Sequence, residues 1–279
     1  MSGERSSERS PERSPAGSGN GASGSSASIE LAEFEFIKRQ APALSALERL
    51  RTEAGRRVAE RCGLFSVPAI LGYDDAAGQI RFERLRGLVS FKETIGRADD
   101  PAALARRVGS ALAAIHDQLE APPSPQTLSG ETLGVSFRSD PIPLHGDFGP
   151  GNILVEPGTL EIAIVDWSSP LWIGQEITAG PASLDLAVFL ISLFELRPFD
   201  PTGLENPAAV AQGFLDAYAE ACSRGLDLED LRTGTRALQT LYLKKMLPLK
   251  GVIGTVAGLP YAYALRRFIG HFCTNRSTQ

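Results

Sequence analysis

Two carboxylates and one carboxamide carry the chemistry this sequence can offer. Asp147, in His145-Gly146-Asp147, is followed five residues later by Asn152, and a second aspartate stands in Ile164-Val165-Asp166-Trp167. The intervening Phe148-Gly149-Pro150-Gly151 disfavours regular helix and lets the loop curl. Asp147 can then face a hydroxyl while Asn152 faces a metal ion. Ile153 to Val155, a Pro157-Gly158 turn and Leu160 to Val165 spell a short hairpin that returns Asp166 close to Asn152. Phosphoryl transfer needs such a set: an aligned hydroxyl relieved of its proton, and oxygen ligands for Mg²⁺, whose shell phosphates and water complete. Both aspartates are expected to be ionised at neutral pH. A lone His-Gly-Asp is often only a turn, so the full spacing carries the reading.

The elements that must position this set fall into two groups. Residues 1 to 28 are Ser, Gly, Pro, Glu and Arg with almost no apolar side chains, and read as a disordered tail. Residues 29–88 read as a small αβ lobe. Phe34 to Arg39 is an expected strand bearing Lys38. An expected helix runs from Ser45 to Arg61, with Ser45 and Glu48 as a capping box and Leu47, Leu50, Ala54 and Val58 as its apolar stripe. Val67 to Tyr73 and Gln79 to Leu85 read as a hairpin. A linker is expected near Leu85 to Val89.

Residues 89–279 read as a larger, mainly helical lobe. Asp100 as cap and Pro101 at the first position open a helix whose stripe is Leu104, Val108, Leu112, Ile115 and Leu119. His116 sits beside that stripe and reads as a packing or surface histidine. Further helices are expected near 183–195, 207–223, 228–247 and 255–272.

Composition narrows the partners. The hydrophobic fraction of 43% is ordinary for a globular chain, and the net charge of −5 does not favour nucleic acid or an anionic membrane. Cys62, Cys222 and Cys273 are odd in number and lack zinc-site spacing, which fits a reducing cytoplasm. The most apolar stretch, Leu184 to Phe194, contains Asp185 and is too short to span a bilayer. The N-terminus lacks the apolar core of a secretory signal. No Walker A, G-x-S-x-G or H-E-x-x-H pattern competes.

The pattern His145-Gly146-Asp147…Asn152, with Val165-Asp166-Trp167, resembles the aminoglycoside phosphotransferase and choline kinase-like family, which shares the protein-kinase fold. The resemblance implies a two-lobed α+β architecture, ATP as co-substrate, Mg²⁺, and a small-molecule hydroxyl as acceptor. By the same resemblance Asp147 is the catalytic base, Asn152 and Asp166 bind Mg²⁺, His145 supports the loop, and Asp185 braces it. Lys38 matches the strand lysine that reaches the nucleotide phosphates. Its helix glutamate partner is placed at Glu53, near the buried stripe, with Glu48 assigned to the helix cap. Phe82 to Gly87 resembles the hinge that meets adenine.

The chain also departs from the family. Two strands and a phosphate-covering loop normally precede the lysine, whereas here little more than a tail precedes Phe34. Gly19 to Gly24 does spell G-x-G-x-x-G, but no strand leads into it. The small lobe therefore reads as truncated, and a weak or inactive kinase-like binding or regulatory module stands as the alternative. A protein kinase is disfavoured by His-Gly-Asp in place of His-Arg-Asp. Trp172 to Ala182, with Gln175 and Glu176, reads as a long loop that either shapes a substrate pocket or is a surface insertion. The acceptor itself does not follow from the sequence.

Overall fold

The computed structural model describes residues 27–124, 127–167, 176–195 and 206–277, without the side chains of 245–258. The Gly19 to Gly24 pattern, nearly all of the tail, and Gln175 lie outside the described residues.

Four strands open the fold: β1 (Ser28–Leu31), β2 (Glu35–Arg39), β3 (Ile70–Asp74) and β4 (Gln79–Glu83), in the antiparallel order β1-β2-β4-β3. Alternation dictates which face is covered. Phe36 and Lys38 of β2 sit opposite Phe82 and Ile80 of β4, and the Phe36 and Phe82 rings stack 4.9 Å apart. Ile29 and Leu31 of β1 pair with Lys38 and Phe36 and so share their face. A strand thus precedes the lysine strand, where little more than tail was expected before Phe34. Its Ser-Ile-Glu-Leu alternates as a strand does, but four residues at the edge of a polar tail are too short a run to stand out.

Helix α1 (Pro42–Cys62) starts three residues before the expected Ser45. Pro42 holds the first turn, where its fixed φ suits the helix and its missing N–H costs nothing. Ser45 is consequently no cap. It is buried within the helix, and its Oγ finds no hydrogen-bond partner among the described residues.

Downstream come β5 (Val89–Ser90), α2 (Phe91–Ile95), α3 (Pro101–Gln118), α4 (Gly130–Leu133), β6 (Ile142–Pro143), β7 (Ile153–Val155), β8 (Ile162–Ile164), β9 (Ala179–Gly180), α5 (Ser183–Phe194), α6 (Pro207–Ala221) and α7 (Leu228–Ser277). The expected β7–β8 hairpin forms, and β5 joins it as the third strand. Asp100 caps α3 by accepting the Ala103 N–H at 2.9 Å. The helical assignment of α7 is continuous, yet its chain doubles back. Cys273 Sγ lies 3.5 Å from the Leu228 carbonyl, and Gln239 donates to the Ala262 carbonyl at 3.0 Å. A straight helix would hold the first pair about 65 Å apart. The two legs correspond to the two helices expected from sequence.

In the large lobe, α3 packs along α6 and α5 along α7. A run of buried rings ties the loop after His145 into this core. Phe148 lies 6.2 Å from Phe189, which stacks on Phe214 at 4.1 Å and meets Phe91 at 5.7 Å. Phe148 sits between Asp147 and Asn152, so burying it anchors the loop while its polar neighbours stay partly accessible. Among the described residues no helix is long and apolar enough to cross a membrane.

Candidate active site

The loop from His145 to Asn152 is shaped by its backbone. Gly146 adopts φ +96° and passes so close to the Ile177 carbonyl that a Cβ would not fit. The Asp185 carboxylate accepts the His145 and Gly146 N–H groups at 2.7 and 2.9 Å. Gly149 N–H turns back to the Asp147 carbonyl at 2.7 Å, and Asn152 N–H to the Gly149 carbonyl at 2.9 Å. Asn152 Nδ2 then donates to both the Asp147 carbonyl and Asp147 Oδ2, at 2.8 and 2.9 Å. That leaves the Asn152 amide oxygen turned away from Asp147. Val165 N–H donates to the Asn152 carbonyl at 3.0 Å, which brings the end of β8 beside this loop. Asp166 follows in the left-handed region, φ +60°, an uncommon conformation for a side-chain-bearing residue that Asp tolerates better than most.

Lys38 reaches this point from the small lobe. Its Nζ donates to Glu48 Oε1 at 2.9 Å and to Asp166 Oδ1 at 3.0 Å. Burial pushes the Lys38 pKa down, but the two carboxylates outweigh it and the ammonium is held charged. Glu48, 1% exposed, is pushed up by burial, while Lys38 and the Gln40 amide at 2.6 Å favour its charged form. The expected partner Glu53 is not there. It is 41% exposed and lies 3.8 Å from Arg49 on the outer side of α1. Glu48, in the second turn after Pro42, faces the Lys38 strand instead, and Glu53, five positions on, lies about 140° further round the helix.

His145 is wholly buried. Its Nε2 lies 3.1 Å from the Val165 carbonyl and its Nδ1 accepts the Asp147 N–H at 3.3 Å. A neutral ring protonated on Nε2 satisfies both contacts. Burial pushes its pKa down to about 4, in keeping with that form. Burial also pushes Asp147 up to about 7, against the lowering effect of Asn152 and with Asp166 and Asp185 acting in the same upward sense. Asp147 is therefore not the fully ionised group expected from its type. Without a cation beside it, neutral pH falls in its titration range.

Asp185 sits at the hub of a buried network. Burial alone would raise its pKa, but the hydrogen bond from His116 and the charges and N–H groups around it keep it low. His116 Nε2 lies 3.1 Å from Asp185 Oδ2 and its Nδ1 2.9 Å from the Tyr218 hydroxyl. The sequence reading took His116 for packing or surface. In the structure it is 3% exposed and connects α3 and α6 to the loop carrying Asp147. Its position on the inner side of the α3 stripe was the signal available; its partner, 69 residues away, was not.

The donor set suits a hard divalent ion. Asn152 offers one amide oxygen, and Asp166 has one carboxylate oxygen on Lys38 and a second beside it. Among the described residues no three His, Cys, Asp or Glu side chains converge as a self-sufficient cage. An ion here would complete its shell from phosphate and water, as Mg²⁺ commonly does.

Residues 125–231 match the phosphotransferase enzyme family known as APH, a span that holds Asp147, Asn152, Asp166 and Asp185. No curated protein matches the chain in sequence. A glucosamine kinase in complex with glucosamine, ADP and inorganic phosphate superposes with a TM-score of 0.55 at 19% identity, covering 90% of this chain and 81% of that one. A choline/ethanolamine kinase family protein from Mesorhizobium loti gives 0.50 at 14% identity, covering 87% and 83%. An aminoglycoside-3'-phosphotransferase of type VIII gives 0.50 at 19% identity, covering 77% and 93%. These identities speak for a common fold. The chain thus has a protein kinase-like fold, and its central segment matches a phosphotransferase family. The three proteins on which it superposes are small-molecule kinases, the group that the His-Gly-Asp pattern resembles.

Proposed function

We propose that this chain transfers the γ-phosphoryl group of ATP, with Mg²⁺, to a hydroxyl of a small molecule. One observation carries the proposal: the Asp147 carboxylate is clamped by Asn152 beside an Asp166 that Lys38 reaches from the other lobe. Asp147 would align the acceptor hydroxyl and take its proton. Its raised pKa makes it a better base than an exposed aspartate, provided it is ionised. Asn152 and Asp166 would hold Mg²⁺, which when bound neutralises charge on the phosphate oxygens. Lys38, kept charged by Glu48, would meet the phosphates as Asp166 turns to the ion. His145 and Asp185 hold the loop in register through the contacts already described, and take no proton in the reaction.

The test is ATP consumption by the full chain over a panel of small alcohols, choline, amino sugars and aminoglycosides, with Asp147→Asn as control. Turnover that Asp147→Asn leaves unchanged would sink the assignment of the base. Absence of thermal stabilisation by ATP with Mg²⁺ would instead favour a binding or regulatory module.

A further inference from the structure

Glu48, Arg51 and Gly55 lie at i, i+3 and i+7 on α1, a single stripe of the helix. Glu48 serves Lys38 on the small-lobe side. Arg51 is 0% exposed and reaches into the large lobe. Its Nε donates to the Trp167 carbonyl at 2.8 Å, its Nη1 to the Pro122 and Thr178 carbonyls at 3.0 and 3.5 Å, and its Nη2 to the Leu144 carbonyl. Its charge is met mainly by carbonyl dipoles, with the Asp185 and Glu176 carboxylates acting from further off. One turn on, Gly55 lets the indole of Trp167 lie against the helix backbone, where any Cβ would collide with the ring.

The four carbonyls are informative by position. Leu144 immediately precedes His145, and Trp167 immediately follows Asp166. The guanidinium therefore joins the stems of the two loops that carry Asp147 and Asp166, and it does so from the helix that carries Glu48. Only arginine fits this task well. Its planar fork presents five N–H groups in fixed directions, whereas lysine offers three from one point.

We infer that Arg51 is a positioning residue: it fastens α1 to the stems of both loops, so that the Lys38–Glu48 pair and the two aspartates stand in one alignment before any ligand arrives. The inference rests on the roles proposed above for those residues. It also implies that α1 does not swing as a unit to switch the site on or off.

The experiment compares the full wild-type chain with Arg51→Lys and Gly55→Ala, which disturb the same seam from its two sides. Hydrogen exchange of the ligand-free proteins is read together with steady-state kinetics for ATP. Both variants are expected to raise exchange in α1 and in segments 144–153 and 163–167 together, by about 10-fold or more, while α3 and α6 keep wild-type protection. The kcat should fall on the order of 10²-fold with a raised KM for ATP, the effect of misplacing groups by about 1 Å. Exchange that rises equally in α3 and α6, that rises in α1 alone, or that does not change would overturn the inference. If Arg51→Lys does not fold, Gly55→Ala decides. A wild type without ATP turnover would refute the phosphotransferase reading, while the exchange pattern would still judge Arg51.

Discussion

Lys38 and Asp147 both lie within electrostatic reach of Asp166, yet the protein treats their charges in opposite ways. Lys38, 4% exposed, is given two carboxylates and stays charged. The Asp147 carboxylate receives the Asn152 amide, with the Lys38 charge acting from further off, and its own charge is partly suppressed by burial. The first centre is electrostatically complete within the chain. On the proposed function, a cation and a hydroxyl would complete the second. Removing a charge at the first should therefore damage the fold as well as the site, whereas at the second it should damage chemistry alone.

The sharpest way to break this contrast is Asp147→Asn. Turnover is expected to fall by about 10²–10⁴-fold, with ATP affinity in calorimetry changed only a few-fold. Lys38→Met should behave differently, because it leaves Glu48 enclosed without its cation. A loss of about 3–5 kcal/mol is expected in denaturant unfolding, the usual scale for breaking a buried pair. A loss under about 1 kcal/mol would mean that Glu48 is neutral in the folded state.

Glu48→Gln keeps the size but weakens the bond to Lys38. About 1–3 kcal/mol of stability and a raised KM for ATP should follow. Asp147 supplies a smaller, pH-dependent effect. Its folded pKa of about 7 lies above its ordinary 3.8, so wild type holds its full share of stability below pH 4 and loses it as pH rises through 7. In metal-free buffer the melting temperature of Asp147→Asn should gain on wild type by a few °C between pH 5.5 and 8.5, on the order expected for 1–2 kcal/mol. A gap that shrinks with rising pH would refute the suppressed charge. Least affected should be Glu53→Gln, within about 0.5 kcal/mol and with unchanged KM for ATP. Equal effects at Glu48 and Glu53 would undo the reassignment of the lysine's partner.

Much of the site was legible because it is local. Asp147, Asn152 and Asp166 are placed by one loop and one hairpin, and a turn written as Gly-Pro-Gly announces itself. Glu48 was misread through a single boundary. Starting α1 at Ser45 instead of Pro42 made Glu48 a cap residue and left Glu53 as the glutamate nearest the stripe. Arg51 and His116 were hidden for another reason. Both look like ordinary residues of amphipathic helices, and the groups that hold them lie 69 to 127 residues away. Strand β1 was missed because its alternation runs for only four residues beside a polar tail. Local pattern finds the candidate reacting groups; it does not find those that hold them still.

The contact of Trp167 with Gly55 makes the seam between the lobes observable by light. The chain has two tryptophans, Trp167 and Trp172, so a Trp172→Phe variant would emit from the seam alone. The Trp167 indole lies 4.8 Å from the His145 ring, whose protonation would quench it, and that ring stays neutral until about pH 4. Across the neutral range the emission would therefore report how closely α1 is seated, a spectroscopic gauge already present in the sequence.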